Sequence, residues 1–175
     1  MLKVLRSAID SVVESMGVGA ALAIAIMALY VTGNVISRKL GWGEFWAIIE
    51  FSEFLMVAAV FLAMAYAEKT DTHVRMTLVT SRLGARKGGA TRSVGLLLAF
   101  VAVAAFTYYN AGTLMQSIEN NETRMGLAHF PVWPARTVIL LGFLFTAIVL
   151  LVKLVDSIRA TVAGKQLDAV DNSQF

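Results

Sequence analysis

Charged side chains cut this sequence into long apolar blocks, and the lengths of those blocks predict the fold. Crossing the hydrocarbon core of a bilayer, about 30 Å, takes about 20 helical residues, because each residue of an α-helix rises about 1.5 Å. Four blocks meet that length. No Asp, Glu, Lys or Arg occurs from Ser15 to Ser37 or from Ser93 to Ser117. The block from Phe45 to Ala67 is apolar except for Glu50 and Glu53, and a fourth runs from Pro134 to Leu154 behind Pro131, with Arg136 and Lys153 near its ends. The pattern predicts helices over about 15–37, 45–67, 93–117 and 134–154, forming a membrane domain over 15–156. Before it, Leu2, Leu5, Ile9, Val12, Val13 and Met16 recur at helical spacing, with Lys3, Arg6, Ser7, Asp10 and Glu14 on the other face. Residues 1–14 are therefore an amphipathic segment, either lying in the membrane interface or extending helix 1 into the cytosol. Residues 157–175 read as a polar cytoplasmic tail. The expected class is an all-α integral membrane protein with four transmembrane helices.

Orientation follows from where Lys and Arg fall. The N-terminal segment, the connection between helices 2 and 3 and the C-terminal segment together carry eleven of them, while the opposite side has Arg38, Lys39, Arg124 and Arg136. Both termini are expected in the cytoplasm, with Trp42, Trp46 and Trp133 as anchors at the outer interface. Only 15% of residues are charged and the mean hydropathy is +0.71, against about 25% charged in a water-soluble domain. That shortfall excludes a water-facing surface for most of the chain. A net charge of +3 does not point to nucleic acid, because the basic residues lie in the connections, where lipid head groups explain them. With no cysteine, disulfides and thiolate metal sites are excluded.

Catalysis needs a base, nucleophile or metal in a preorganised pocket. His73 and His129, the two histidines, fall in connections on opposite sides of the membrane and cannot share a haem. No nucleophile elbow or phosphate-binding glycine loop is present. The expectation is a protein that is not an enzyme and holds no metal or cofactor. Glu50 and Glu53 stand three apart, on one face of helix 2 in the outer half of the bilayer, where a carboxylate must be protonated, hydrated or paired. Contact with a partner subunit leads the readings. A structural pair tied to Arg136 or Arg38 follows, then an ion-coupling site. Ala58 and Ala59, with the small residues Gly17, Gly19 and Ala20 of helix 1, allow close helix approach, within the bundle or against another protein.

Two stretches resemble the small membrane subunit, DctQ-type, of tripartite ATP-independent periplasmic (TRAP) transporters. In the first, Glu50 and Glu53 precede Ala58-Ala59-Val60-Phe61-Leu62-Ala63, Tyr66-Ala67-Glu68-Lys69 and Thr72-His73-Val74-Arg75-Met76. In the second, Gly112, Ser117 and Thr123 precede Phe130-Pro131-Val132-Trp133, similar to the family's Ile-Pro-x-Trp start of the last helix, with Gly142 beyond. The chain departs from the family at Thr77, where Asp is common. The resemblance implies a subunit of the bacterial cytoplasmic (inner) membrane that scaffolds a large membrane subunit, which carries the substrate and sodium sites. A periplasmic substrate-binding protein completes the system. Glu50, Glu53, Ala58 and Ala59 would contact the large subunit, His73 and Arg75 the cytoplasmic interface or lipid head groups, and Pro131 and Trp133 would shape a periplasmic docking surface. The competing expectation is a small proton-coupled multidrug exporter acting as a homodimer; an anchor for a redox enzyme is a third.

Overall fold

The computed structural model describes residues 2–70, 85–124 and 130–162. Four long helices account for most of them: α1 (Leu2–Lys39), α2 (Ile48–Lys69), α3 (Ala85–Glu119) and α4 (Trp133–Val162). Each is long and apolar enough to cross a membrane. A two-stranded antiparallel hairpin, β1 (Thr123–Arg124) and β2 (Phe130–Pro131), sits between α3 and α4.

The helices stand in the spatial order α1, α2, α4, α3, each packed on the next. The seam between α1 and α2 is built from small side chains, as expected where lipid gives no hydrophobic drive and close approach must supply the attraction. Ala23 of α1 meets Leu55, Ala58 and Ala59 of α2, with Met27, Phe51, Leu62 and Val138 around them. Toward the other end, Val13 and Met16 pack with Ala65 and Val149, flanked by Ile9, Leu62 and Phe145. Phe143 of α4 continues the packing sideways, meeting Phe61 of α2 at 5.2 Å edge-on and Phe106 of α3 at 5.6 Å stacked.

The N-terminal amphipathic stretch is one continuous helix with the first span, 38 residues in all. Val13 and Met16 are buried against α2 and α4, with Ile9 packed beside them. Arg6 at the start of α1 pairs with Asp156 near the end of α4, so both ends of the chain's helical body lie on the same side.

Helix 2 starts at Ile48, not at Phe45 as the hydropathy predicts. The cause is a chain reversal over residues 40–47. Gly41 and Gly43 take φ of +76° and +96°, and Ala47 sits in the left-handed region at φ 50°, a conformation that disfavours a Cβ. Three side chains of α1 hold the reversal against the last turns of the helix. The Tyr30 hydroxyl donates to the Trp46 carbonyl at 2.6 Å, the Phe45 N–H donates to Asn34 Oδ1 at 2.8 Å, and the Ser37 hydroxyl donates to the Gly43 carbonyl at 2.9 Å. Positions 30, 34 and 37 share one face of a helix. Asn34 is buried, so Asn34→Leu strands the Phe45 N–H and is expected to cost about 1–3 kcal/mol. Thermal unfolding in detergent micelles measures this, with the exposed Val35→Leu as the neutral control.

Candidate functional site

Opposite charges gather at the two ends of the row. At the end holding the α1–α2 reversal and the hairpin, Glu53 of α2 pairs with Arg124 of β1 at 3.0 Å. Arg136 of α4 pairs with Glu122 at 2.8 Å and also donates to the carbonyl of Thr113 on α3. The hairpin is drawn onto the helices because the Val132 N–H donates to the Glu122 carbonyl at 3.0 Å and Phe130 lies 6.2 Å from Phe54. Glu53 is thus tied neither to Arg136 nor to Arg38, the partners suggested by depth in the sequence; Arg38 pairs with Glu44 at 3.2 Å. Arg124 was out of reach of sequence reasoning because only the fold-back of the hairpin brings it to α2.

Glu50 and Glu53 differ in setting. Glu50 is 8% exposed and, with residues Glu44 to Ile49, lines a cavity of about 150 Å³ beneath the reversal. Glu53 turns outward to the hairpin. Ala58 and Ala59 are both 7% exposed and lie in the packing between α1, α2 and α4, so the chain itself occupies their surfaces. Pro131 is exposed in β2 and Trp133 is 48% exposed at the first position of α4. Both therefore face outward at the rim. His73, Arg75 and His129 lie outside the described residues.

The other end carries a second set of ion pairs. Lys69 meets Glu14 at 2.7 Å and the carbonyl of Asp10 at 3.2 Å; Lys153 meets Glu68 at 3.1 Å; Arg6 meets Asp156. These pairs link α1 to α2, α2 to α4 and α1 to α4. Between them lies a cavity of about 320 Å³ with a charged rim and an apolar floor that includes Ile9, Val149 and Val152. Read singly, these charges served only to set the topology. Their pairing would show as opposite signs at matching ends of helices 1, 2 and 4. On the α3 side, the hydroxyls of Ser93 and Ser157 are 2.9 Å apart. Ser117 is fully buried and its hydroxyl has no hydrogen-bond partner among the described residues.

What this arrangement does chemically is neutralise and fasten. The cationic heads of Arg6, Lys69, Arg124 and Lys153 are spent on carboxylates of other elements, which fixes the relative heights of α1, α2, α4 and the hairpin. Among the described residues no group of three His, Cys, Asp or Glu side chains could hold a metal.

Residues 27–160 match the family of tripartite ATP-independent periplasmic transporters, DctQ component. No curated protein matches the chain.

Proposed function

Because the chain belongs to the DctQ component family of tripartite ATP-independent periplasmic transporters, we propose that it is the non-catalytic brace of a sodium-driven uptake system in the bacterial inner membrane. It scaffolds the large permease subunit and helps to seat the periplasmic substrate-binding protein. The family match over residues 27–160 carries this reading. The geometry supports it in two ways. A row of helices fastened at both ends by ion pairs suits a part that stays still while another moves. The apolar flanks of α1 and α3 are broadly exposed, which leaves wide surfaces for a membrane partner.

On this reading the hairpin end faces the periplasm, with Pro131, Trp133 and the Glu53–Arg124 pair on the docking side. Glu50 would act through the α1–α2 reversal that it underlies. Ala58 and Ala59 would support the large subunit indirectly, by holding α2 against α1 and α4. His73 and Arg75 would face the cytoplasmic head groups. The excess of Lys and Arg at the opposite end supports this orientation.

Reconstitution tests the proposal. Sealed vesicles holding this chain and a large permease subunit of the same kind of transporter are expected to take up solute only when the binding protein and a sodium gradient are supplied. The chain alone is expected to move nothing. Solute transport by the chain alone, lost in Glu53→Gln, would replace the brace with the exporter. Single cysteines at Thr70 and Asn121 are expected to label from the cytoplasmic and periplasmic sides respectively, and the reverse pattern would overturn the orientation.

A further inference from the structure

The heights of the charged layers carry an inference about the membrane itself. We propose that this chain is built for a hydrocarbon layer of about 24 Å, several ångströms thinner than an average bilayer, and that it thins the lipid along α2 and α4. Along α2, Glu53 and Glu68 bound the charge-free stretch and are about 22 Å apart at the α-helical rise. Along α4, Arg136 and Lys153 are about 26 Å apart. Any tilt of a helix shortens these spans across the membrane.

The limits are set by exposed groups. The side chains of Arg124 and Glu53 are 63% and 37% exposed, and those of Glu14 and Asp10, which meet Lys69, are 66% and 55% exposed. Ion pairs open to this extent cannot be covered by acyl chains without losing the hydration of their outer faces. Head groups or water must therefore reach them. The lipid meets that demand by local thinning, the ordinary response to a span shorter than the bilayer. α1 and α3 are the exceptions, charge-free over about 34 Å and about 39 Å. The contact of Tyr30 with Phe51 at 4.9 Å places the final turns of α1 beyond the start of α2, where residues 40–47 fold back along it, and the bonds of Arg136 to the Thr113 carbonyl and of Ser93 to Ser157 carry the ends of α3 past the levels of Arg136 and Lys153.

The test uses the full chain in phosphatidylcholine bilayers of rising thickness, from dimyristoleoyl through dipalmitoleoyl and dioleoyl to dierucoyl. The thermal unfolding midpoint is expected to peak in the two thinner lipids and to fall in dierucoyl. Removing the outer pair, in Glu53→Leu with Arg124→Leu, is expected to move the peak toward dioleoyl. A wild-type peak in dioleoyl or thicker lipid would overturn the proposal. A second measurement does not depend on the double variant folding. The chain has no cysteine of its own, so a polarity-sensitive label can be placed singly at Ile49 or at Met56, both exposed on α2. In dioleoyl vesicles the label at Ile49 is expected to report water and that at Met56 hydrocarbon. A label at Ile49 that reports hydrocarbon would also overturn the proposal.

Discussion

Gly142→Ala is expected to separate α2 from α4 and to give the largest loss of stability of any glycine-to-alanine change among the described residues. A Cβ at Gly142 would lie 2.5 Å from the carbonyl oxygen of Phe61, 2.8 Å from its Cβ and 2.9 Å from its carbonyl carbon. Two of those three atoms are backbone, so no side-chain rotation can relieve the clash and the helices must move apart. Overpacking costs about 1–3 kcal/mol when side chains can adjust; here the cost is expected at or above about 3 kcal/mol. Separation would also disturb Phe143, which touches Phe61 on one side and Phe106 on the other, and so would loosen α3. Unfolding by a graded mole fraction of dodecyl sulfate in mixed micelles measures the effect. Gly95→Ala and Gly112→Ala on α3 are the controls, since a Cβ there meets nothing within 4 Å. Both are expected to leave stability unchanged or to raise it slightly, because alanine favours helix over glycine by about 1 kcal/mol.

The second large effect is expected at the Glu68–Lys153 pair. Its side chains are 15% and 17% exposed, the most enclosed of the ion pairs described above, and the Lys153 ammonium also donates to the backbone carbonyl of Glu68. Glu68→Leu takes the carboxylate from beside the largely enclosed Lys153 ammonium, which is expected to cost about 3 kcal/mol. Lys153→Met leaves the carboxylate in the same position, at a similar cost. The double variant is expected to recover most of the loss, because an apolar pair of similar volume replaces a buried ion pair at little cost. The same dodecyl sulfate titration closes this cycle. Losses that simply add would show that the two groups act separately.

How much of this was legible beforehand depended on whether the determinant was local. The four spans were legible because a bilayer demands long charge-free blocks, and such blocks are visible in one dimension. The onset of α2 was not, because Phe45, Trp46 and Ala47 extend the apolar run while the backbone at Gly41, Gly43 and Ala47 turns it out of the helix. Hydropathy does not register φ. Tyr30, Asn34 and Ser37, which hold that turn, show at most as polar residues at helical spacing near the end of an apolar block. For the N-terminal segment the periodicity fits two placements, and the packing of Val13 and Met16 against α2 and α4 cannot be seen in it. Glu50 and Glu53 stand out in the sequence as carboxylates inside an apolar block. The explanation for Glu53 lay 71 residues away at Arg124, beyond what spacing along a chain can show. Small side chains on α2 fit either internal packing or a partner, and the structure gives Ala58 and Ala59 to the inside of the chain.

The position of α3 at the end of the row has a practical consequence. No residue in its most apolar stretch is buried by the rest of the chain, while the other three helices each bury between 22% and 33% of theirs. Val94, Leu98 and Val101 thus touch whatever lies outside the polypeptide, and little within it. Exchanging them for other aliphatic residues leaves the protein's own jigsaw intact. Any functional defect that such exchanges produce is a message from the neighbour, and α3 can be used to listen for it.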